Sequence, residues 1–352
     1  FFFFKQKTAY EIKECDWSSD VCSSDLLGML FSWRYFLIAI AVITATGAQA
    51  ADRIRIAAQK TGTLAWELEI IRVHGLDKKA NLELETTELA STEAGKIALK
   101  GGSADLILSD WLWVARERGL GGTLTFHPYS STLGAVMVPT QSSIRSIADL
   151  KGKTLAVAGG PIDKSWLLLQ ALALRAGVDL KKQTTLAYGA PPLLTQKALQ
   201  GEHEATLTFW NFCAELEAKG FKRAIAMDGV MKELGAKDAV SIVGYVFDEG
   251  WAARNRGTID RFLQITQEAK KILAGSESEW RRLAPRIGTT DAATLAIYRQ
   301  RYLEGIPRRT SAEEAEDAKA LYLVLADIGG ADLVGPAKTL DPKTFYRPGR
   351  GD

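Results

Sequence analysis

Cysteine is nearly absent from most of this chain. Of the three cysteines among 352 residues, Cys15 and Cys22 lie within the first 26, which leaves only Cys213 further along. A single cysteine excludes a disulfide framework and a cysteine metal site from residues 27–352. A lone cysteine in a helical segment is more often a packing residue than a reactive one.

The glycine motifs of nucleotide-binding proteins are also missing. A P-loop requires glycine at both glycine positions of G-x-x-x-x-G-K-[ST]. Lys164-Ser165 has Ala158 and Asp163 at those positions, and Gly152-Lys153-Thr154 has Ile147 at the first one. No G-x-G-x-x-G motif opens a helix, so we exclude nucleotide and dinucleotide binding.

Strong charge of either sign is lacking as well. The formal net charge is +2, with −1 in residues 1–50 and +3 in the remainder, and no basic block suits nucleic acid. With 47% hydrophobic and 24% charged residues, the composition is that of a soluble globular protein. The length allows two domains.

The start of the chain contains two segments that we do not assign to the fold. The first 26 residues resemble a translated sequencing-adapter stretch, and we treat residues 1–28 as a foreign leader. Residues 29–50 have the pattern of a signal peptide, with the basic Arg34, an apolar core over 36–45 and small residues ending at Ala50. The apolar core is short for a bilayer span. The pattern predicts export to the periplasm with cleavage near Ala50.

The segment DLKGKTLAVAGGPIDKSW, residues 149–166, shows the most informative local pattern. It predicts a strand over 154–158, a glycine loop, and a helix that opens near Asp163 and continues to Ala176. Such a connection leaves backbone N–H groups free at the start of the helix, and these suit a small polar or anionic ligand. An ordinary βα loop has the same pattern, so both interpretations stay open on this segment alone.

Strands alternate with helices along the chain in two successive series. This βαβ pattern predicts an α/β protein with mainly parallel sheets flanked by helices. The similar extended segments 133–138 and 241–247 flank the second series, which indicates two crossings between two lobes. Further along the pattern is helical, and Ser276–Glu279 and Ser311–Glu314 fit capping boxes. Residues 338–352 are expected to form a C-terminal tail.

Polar and aromatic residues recur just beyond the predicted strand ends, where open parallel sheets bind ligands. The predicted ligand-binding residues are Gln59, Lys60, Thr61, Trp66, Ser109, Asp110, Trp111, Gly160, Asp163, Lys164, Ser165, Trp166, Tyr188, Trp210 and Asn211. The lysines suit a sulfonate, carboxylate or nitrate, and the aspartates suit an amine or a ring N–H. Asp163 also fits a helix N-cap, and Trp66 and Trp111 also fit helix packing. We expect no catalytic residue, metal or cofactor.

Indoles bury much area and stack on planar or methylated groups. We therefore expect Trp111→Ala or Trp166→Ala to weaken ligand binding more than stability. The combination of tryptophans with Asp110 disfavours a simple inorganic anion such as nitrate. It favours a small organic solute with a planar or aliphatic body and a polar or anionic end.

Three segments carry a family resemblance: RIRIAAQKTGTLAW, ALKGGSADLILSDWLWVARERG and SIADLKGKTLAVAGG. Together with the signal peptide they resemble periplasmic substrate-binding proteins of nitrate/sulfonate/taurine-type ABC importers, which include thiamine-precursor binders. The resemblance covers about residues 51–335. It implies the type II periplasmic-binding-protein fold, with two hinge strands, lobe I over 51–138 and 245–337, and lobe II over 139–244. It also implies a monomer that holds its ligand between the lobes and docks an inner-membrane permease.

Two other classes of function remain as alternatives. Related folds include a pyrimidine-forming enzyme of thiamine synthesis, but none of the three histidines lies in H-E-x-x-H or near a nucleophile motif. His127 ends a predicted strand and could reach the cleft, although a lone histidine there is more often structural. A periplasmic sensor module would have to act through a partner. We therefore predict a binding protein rather than an enzyme.

Overall fold

The structure, a computed structural model, describes residues 50–60, 62–161, 163–238 and 240–349. The predicted foreign leader and all of the predicted signal peptide except Ala50 lie outside these residues, as does Thr61. None of the helices in the described ranges is both long and apolar enough to cross a bilayer.

Two five-stranded sheets form the framework. The strands are β1 (Asp52–Gln59), β2 (Leu82–Leu89), β3 (Leu106–Asp110), β4 (Leu124–Ser130), β5 (Gly134–Pro139), β6 (Thr154–Ala158), β7 (Thr185–Gly189), β8 (Ala205–Phe209), β9 (Phe221–Ala226) and β10 (Val243–Asp248). Their orders are β2-β1-β3-β10-β4 in lobe I and β7-β6-β8-β5-β9 in lobe II. Each sheet contains one strand that is antiparallel to its neighbours, β10 in lobe I and β5 in lobe II. The predicted two-lobed α/β fold with mainly parallel sheets is confirmed.

Helices surround both sheets. They are α1 (Thr63–Val73), α2 (Leu76–Lys79), α3 (Thr92–Lys100), α4 (Trp111–Gly119), α5 (Lys164–Arg175), α6 (Leu180–Gln183), α7 (Pro191–Leu199), α8 (Trp210–Ala218), α9 (Met227–Glu233), α10 (Glu249–Arg254), α11 (Arg256–Gly275), α12 (Glu277–Ile287), α13 (Ala292–Glu304) and α14 (Ser311–Val334). Short 3₁₀ turns span Ala148–Leu150 and Pro342–Thr344. Helices α4, α5 and α8 begin directly at or just after strand ends, which places their first turns at the carboxyl edges of the sheets.

The lobe boundaries differ from the predicted ones. Strand β5 was expected in lobe I, but it pairs with β8 and β9 in the second sheet. The close approach of β5 to β8 depends on Gly134, since a Cβ there would lie 2.0 Å from the carbonyl oxygen of Thr208. The crossings are therefore residues 131–133 and the chain before β10, rather than two hinge strands. An apolar strand sequence does not reveal which sheet receives it.

Helix α14 lies against both lobes, since it packs on α4 of lobe I and on α5 of lobe II. Its capping box is formed by Thr310 and Glu313, one residue before the predicted pair. This register turns Glu314 inward, where its carboxylate accepts hydrogen bonds from the backbone N–H of Ser241 at 2.7 Å and from its hydroxyl at 3.1 Å. Helix α14 thereby holds the second crossing.

The predicted C-terminal tail is largely packed against lobe I. Phe345 is buried and forms a parallel bridge with Phe126 of β4. Tyr346 packs on Phe247, with ring centroids 5.1 Å apart, and its N–H donates to the carbonyl of Phe126 at 2.7 Å. The proline, glycine and charge content led to the wrong prediction, because it concealed two anchoring aromatic residues.

Candidate functional site

In lobe I, the predicted residues Ser109, Asp110 and Trp111 form a tight connection between β3 and α4, which we call the lobe I turn. Asp110 ends the strand and caps the helix, because its Oδ1 accepts the N–H of Trp113 at 2.8 Å. Lys96 places Nζ 3.9 Å from Asp110 Oδ2 and 5.1 Å from the centroid of the Trp113 ring. The turn thus presents a carboxylate oxygen with a lysine nearby at the edge of the first sheet.

In lobe II, residues 159–166 connect β6 to α5, and we call this segment the lobe II loop. Asp163 caps α5, since its Oδ1 accepts the N–H groups of Ser165 at 2.8 Å and Trp166 at 3.3 Å. The N-cap expected of Asp163 is therefore present. Lys164 places Nζ 3.6 Å from Asp163 Oδ2 and 4.7 Å from the centroid of the Phe209 ring. Carboxylate, lysine and aromatic ring recur here in the same relation as in lobe I.

The two aspartates sense each other across the lobes. Burial raises the pKa of Asp163, and the negative charge of Asp110 raises it further, while Lys164 and the capping N–H groups act in the opposite direction. The Asp163 side chain is only 6% exposed and that of Asp110 15%. Both carboxylates therefore occupy a gap that is partly withdrawn from water.

Buried hydroxyl groups lie beside both aspartates. Ser109 and Ser165 are buried, and neither Oγ has a hydrogen-bond partner among the described residues. The same holds for Thr208 Oγ1, near the end of β8. Since buried polar groups in proteins are nearly always paired, this concentration at the carboxyl edges of two sheets is typical of a site that a ligand completes.

Trp111 and Trp166 lie behind the aspartates rather than beside an open surface. Both side chains are fully buried. The Trp111 ring packs 6.2 Å from Phe345, and the Trp166 ring meets the edge of Tyr188 at 6.4 Å. In this conformation the two indoles support the first turns of α4 and α5, whereas Tyr188 is 40% exposed.

Trp66 and Trp210 meet across the lobe boundary. Their ring centroids lie 5.9 Å apart in an edge-to-face arrangement, with Trp66 on α1 of lobe I and Trp210 on α8 of lobe II. Trp210 also packs against Tyr298 and Tyr302 of α13. These two tryptophans thus belong to an aromatic cluster that joins the lobes.

The remaining predicted residues are more dispersed. Gln59 donates a hydrogen bond to Thr92 Oγ1 at 2.8 Å, and Lys60 is exposed. Gly160 has a left-handed backbone with φ 100°. Asn211 is partly exposed in the first turn of α8.

Sequence reasoning missed a buried ion pair next to the aromatic cluster. Glu67 is fully buried on α1, and both of its oxygens lie 2.6 Å from Lys270 Nζ on α11. Tyr302 donates to Glu67 at 2.5 Å, and the Lys270 ammonium lies 4.0 Å above the Tyr129 ring. Burial lowers the pKa of Lys270 although Glu67 opposes the shift. The pair is separated by 203 residues, so that only an isolated Glu67 in an apolar helix hinted at it.

A small cavity of about 10 Å³ adjoins this ion pair, with room for about one water molecule. Thr63, Tyr129 and Lys270 of lobe I and Trp210 of lobe II line it. Thr63 is the first residue of α1, whose N-cap Gly62 provides no capping side chain. Helix α1 therefore begins at the lobe boundary without the carboxylate that caps α4 and α5.

His127 lies in β4 beside Tyr346, with ring centroids 6.3 Å apart. Burial lowers its pKa to about 4, so it is neutral at physiological pH. Nothing in its surroundings pairs it with a nucleophile. Within the described part of the chain, no group of three or more His, Cys, Asp or Glu residues is arranged to hold a metal.

The two lobes, their paired crossings and the facing helix starts define the fold class of periplasmic binding proteins. The chain belongs to the NMT1/THI5-like family, whose model matches residues 73–276. No curated protein gave a significant match.

Solved structures resemble the chain at low sequence identity, and therefore show the fold alone. The periplasmic aliphatic sulphonate binding protein SsuA from Escherichia coli is 20% identical, with a TM-score of 0.65, over 82% of this chain and 95% of that one. The alkanesulfonate-binding protein SsuA from Xanthomonas axonopodis pv. citri, bound to MOPS, is 19% identical with a TM-score of 0.65, over 84% and 98%. DszB in complex with biphenyl-2-sulfinic acid, an enzyme, is 14% identical with a TM-score of 0.52, over 82% and 97%.

Proposed function

We propose that this protein is the solute-binding component of an ABC importer. It captures a small organic solute between its lobes and delivers it to a membrane permease. The observation that carries this proposal is the approach of Asp110 and Asp163 from opposite lobes, beside buried hydroxyls that lack partners. A ligand that satisfies these groups removes a cost of about 1–3 kcal/mol for each unpaired buried polar atom.

The mechanism is a shift between open and closed populations, without bond formation. Each lobe contributes a rigid half-site, because α4 and α5 are capped and are supported by the buried Trp111 and Trp166. A solute that contacts both halves binds the closed form more tightly, and its differential affinity sets how far the population moves. The permease then recognises the closed form.

Sulfonates and carboxylates are the first solutes to test. Both SsuA relatives bind sulfonates, and the start of α1 offers backbone N–H groups that no side chain caps. Helix starts of this kind favour anions. The predicted signal peptide and the periplasmic relatives support residence in the periplasm.

A thiamine-precursor pyrimidine is the second candidate ligand. The family membership of the chain and the two aspartates, which can accept from ring amino groups, favour it. An enzyme related to DszB in function, and a sensor that acts through a partner, are less well supported, since no described histidine is paired with a nucleophile.

A thermal-shift screen of sulfonates, taurine, aromatic acids, pyrimidines and amines tests the proposal, with calorimetry on each hit. We expect one-to-one binding by a monomer and a smaller radius of gyration in X-ray scattering when the ligand is present. Turnover of a hit by the purified protein, or hits that bind without compaction, would contradict it.

A further inference from the structure

Asp110 and Asp163 each use one carboxylate oxygen and leave the other free. In both residues Oδ1 caps the following helix. Oδ2 of each residue accepts no hydrogen bond from the described residues, although both side chains are mostly buried. A carboxylate oxygen has two lone pairs, so each aspartate retains unused acceptor capacity directed away from its own helix.

The neighbouring lysines do not fill this capacity. Lys96 and Lys164 remain 3.9 and 3.6 Å from the respective Oδ2 atoms, beyond ordinary N–H···O hydrogen-bond distances. Each ammonium instead lies above an aromatic ring, that of Trp113 or Phe209. The lysines therefore reduce the local negative charge but leave both acceptors available.

Bringing two carboxylates together in a partly dry gap is unfavourable when nothing lies between them. The effect of Asp110 on the pKa of Asp163 reports this repulsion. A cation with N–H groups between the two Oδ2 atoms would replace the repulsion by two charge-assisted hydrogen bonds. The unpartnered, buried hydroxyls of Ser109 and Ser165 indicate independently that the gap is completed by a ligand.

We propose that the solute carries a protonated amine or amidine, which donates to Asp110 Oδ2 and Asp163 Oδ2 at once. This inference rests on the proposed function and narrows its substrate class. The nitrogen cation couples binding to closure, because it is attracted fully only when both lobes surround it. An anionic end of the same solute remains compatible with the uncapped start of α1.

Pairs of compounds that differ in one group test the proposal by calorimetry. Taurine and isethionate differ in an ammonium and a hydroxyl, and benzamidine and benzamide differ in an amidinium and an amide. Charge-assisted hydrogen bonds contribute about 1.5–3 kcal/mol each. We therefore expect the nitrogen cation of at least one pair to bind at least about tenfold more tightly than its partner.

Asparagine variants locate the effect. Asp110→Asn and Asp163→Asn keep the caps but remove the charge, and each should reduce the preference for the cation at least about tenfold. Asp179→Asn and Asp248→Asn are matched controls, because these aspartates cap α6 and α10 at the opposite edges of the two sheets. The controls should leave the preference unchanged.

The outcomes separate this inference from the proposed function. Equal or tighter binding of isethionate or benzamide would overturn the inference while solute binding stands. An undiminished preference in both site variants would also overturn it. If the broader screen finds other solutes but no amine or amidine, the inference fails alone, and if it finds no solute at all, both fail.

Discussion

The lobe I turn and the lobe II loop present the same chemistry on different backbones. Each offers a capping aspartate, a lysine above an aromatic ring, and a fully buried tryptophan. In lobe I, β3 runs into α4 without an intervening residue. In lobe II, Gly159 and Gly160 precede Asp163 with left-handed φ values of 86° and 100°. The comparison teaches that two half-sites can be matched in side chains while only one depends on glycine.

Removal of either buried indole should have the largest effect. Trp111→Ala and Trp166→Ala should each reduce the free energy of unfolding by about 3–5 kcal/mol, because each leaves a large cavity in a packed core. Burial therefore revises the expectation that binding would suffer more than stability. Urea unfolding measures the effect, with Trp113→Ala, whose residue is only half-buried, as the comparison. A loss below about 1 kcal/mol in either lobe would contradict this packing.

The connection between the lobes should respond to pH through Glu314. Burial raises the pKa of Glu314 from 4.5 to about 6, while Ser241 and Arg309 lower it and Asp317 adds to the increase. Because the folded-state pKa is raised, the stabilisation from this group is complete below pH 4.5 and is lost as the pH rises through about 6. Relative to Glu314→Gln, the wild type should lose about 2 kcal/mol over this window. Parallel unfolding free energies of the two proteins from pH 4.5 to 7 would show that the shift is absent.

The glycines should separate the two half-sites. Gly159→Ala and Gly160→Ala should each cost about 1–2 kcal/mol, since both residues have positive φ. Only the Gly159 variant brings its Cβ to 2.9 Å from Asp163 Oδ2, whereas no atom lies within 4 Å of the added Cβ at Gly160. Calorimetry with a screened solute should therefore show weaker binding for Gly159→Ala than for Gly160→Ala. Equal affinities would mean that the position of Oδ2 is unimportant.

The smallest effect on stability should come from the aspartates. Asparagine caps helices about as well as aspartate, so Asp110→Asn should change stability little. For Asp163, the raised pKa means that the charged form is disfavoured at neutral pH and that this cost disappears below pH 3.8. Asp163→Asn should therefore raise the melting temperature at neutral pH but not in acid. A lower melting temperature at neutral pH would show that the pairing of Asp163 with Lys164 dominates.

Local patterns predicted much of the framework. The strand over 154–158, the helix after Asp163 and the capping role of Asp163 follow from neighbouring residues, and all three are present. The boundary at β5 was wrong, because partner choice depends on Gly134 meeting a strand more than 70 residues away. The C-terminal segment was wrong for the same kind of reason, since Phe345 packs on a strand near residue 126.

Within the predicted site, residue types were easier to infer than surroundings. The sequence places Asp110 and Asp163 after strand ends, but the interaction between their charges requires the two lobes together. Tryptophan near a strand end is compatible with ligand stacking and with core packing, and Trp111 and Trp166 are buried in this structure. The Glu67–Lys270 pair left almost no local signal, because its partners lie on helices from distant parts of the chain.

The sequence by itself determined the alternation of strands and helices, the positions of the capping aspartates and the kinship of the chain, because these depend on spacing between near neighbours. Only the tertiary structure decided which sheet receives β5, how α14 holds the crossing at Ser241, and which carboxylate oxygens remain unused. The physical reason is that burial and pairing are set by residues from several distant segments, whose approach no local pattern records.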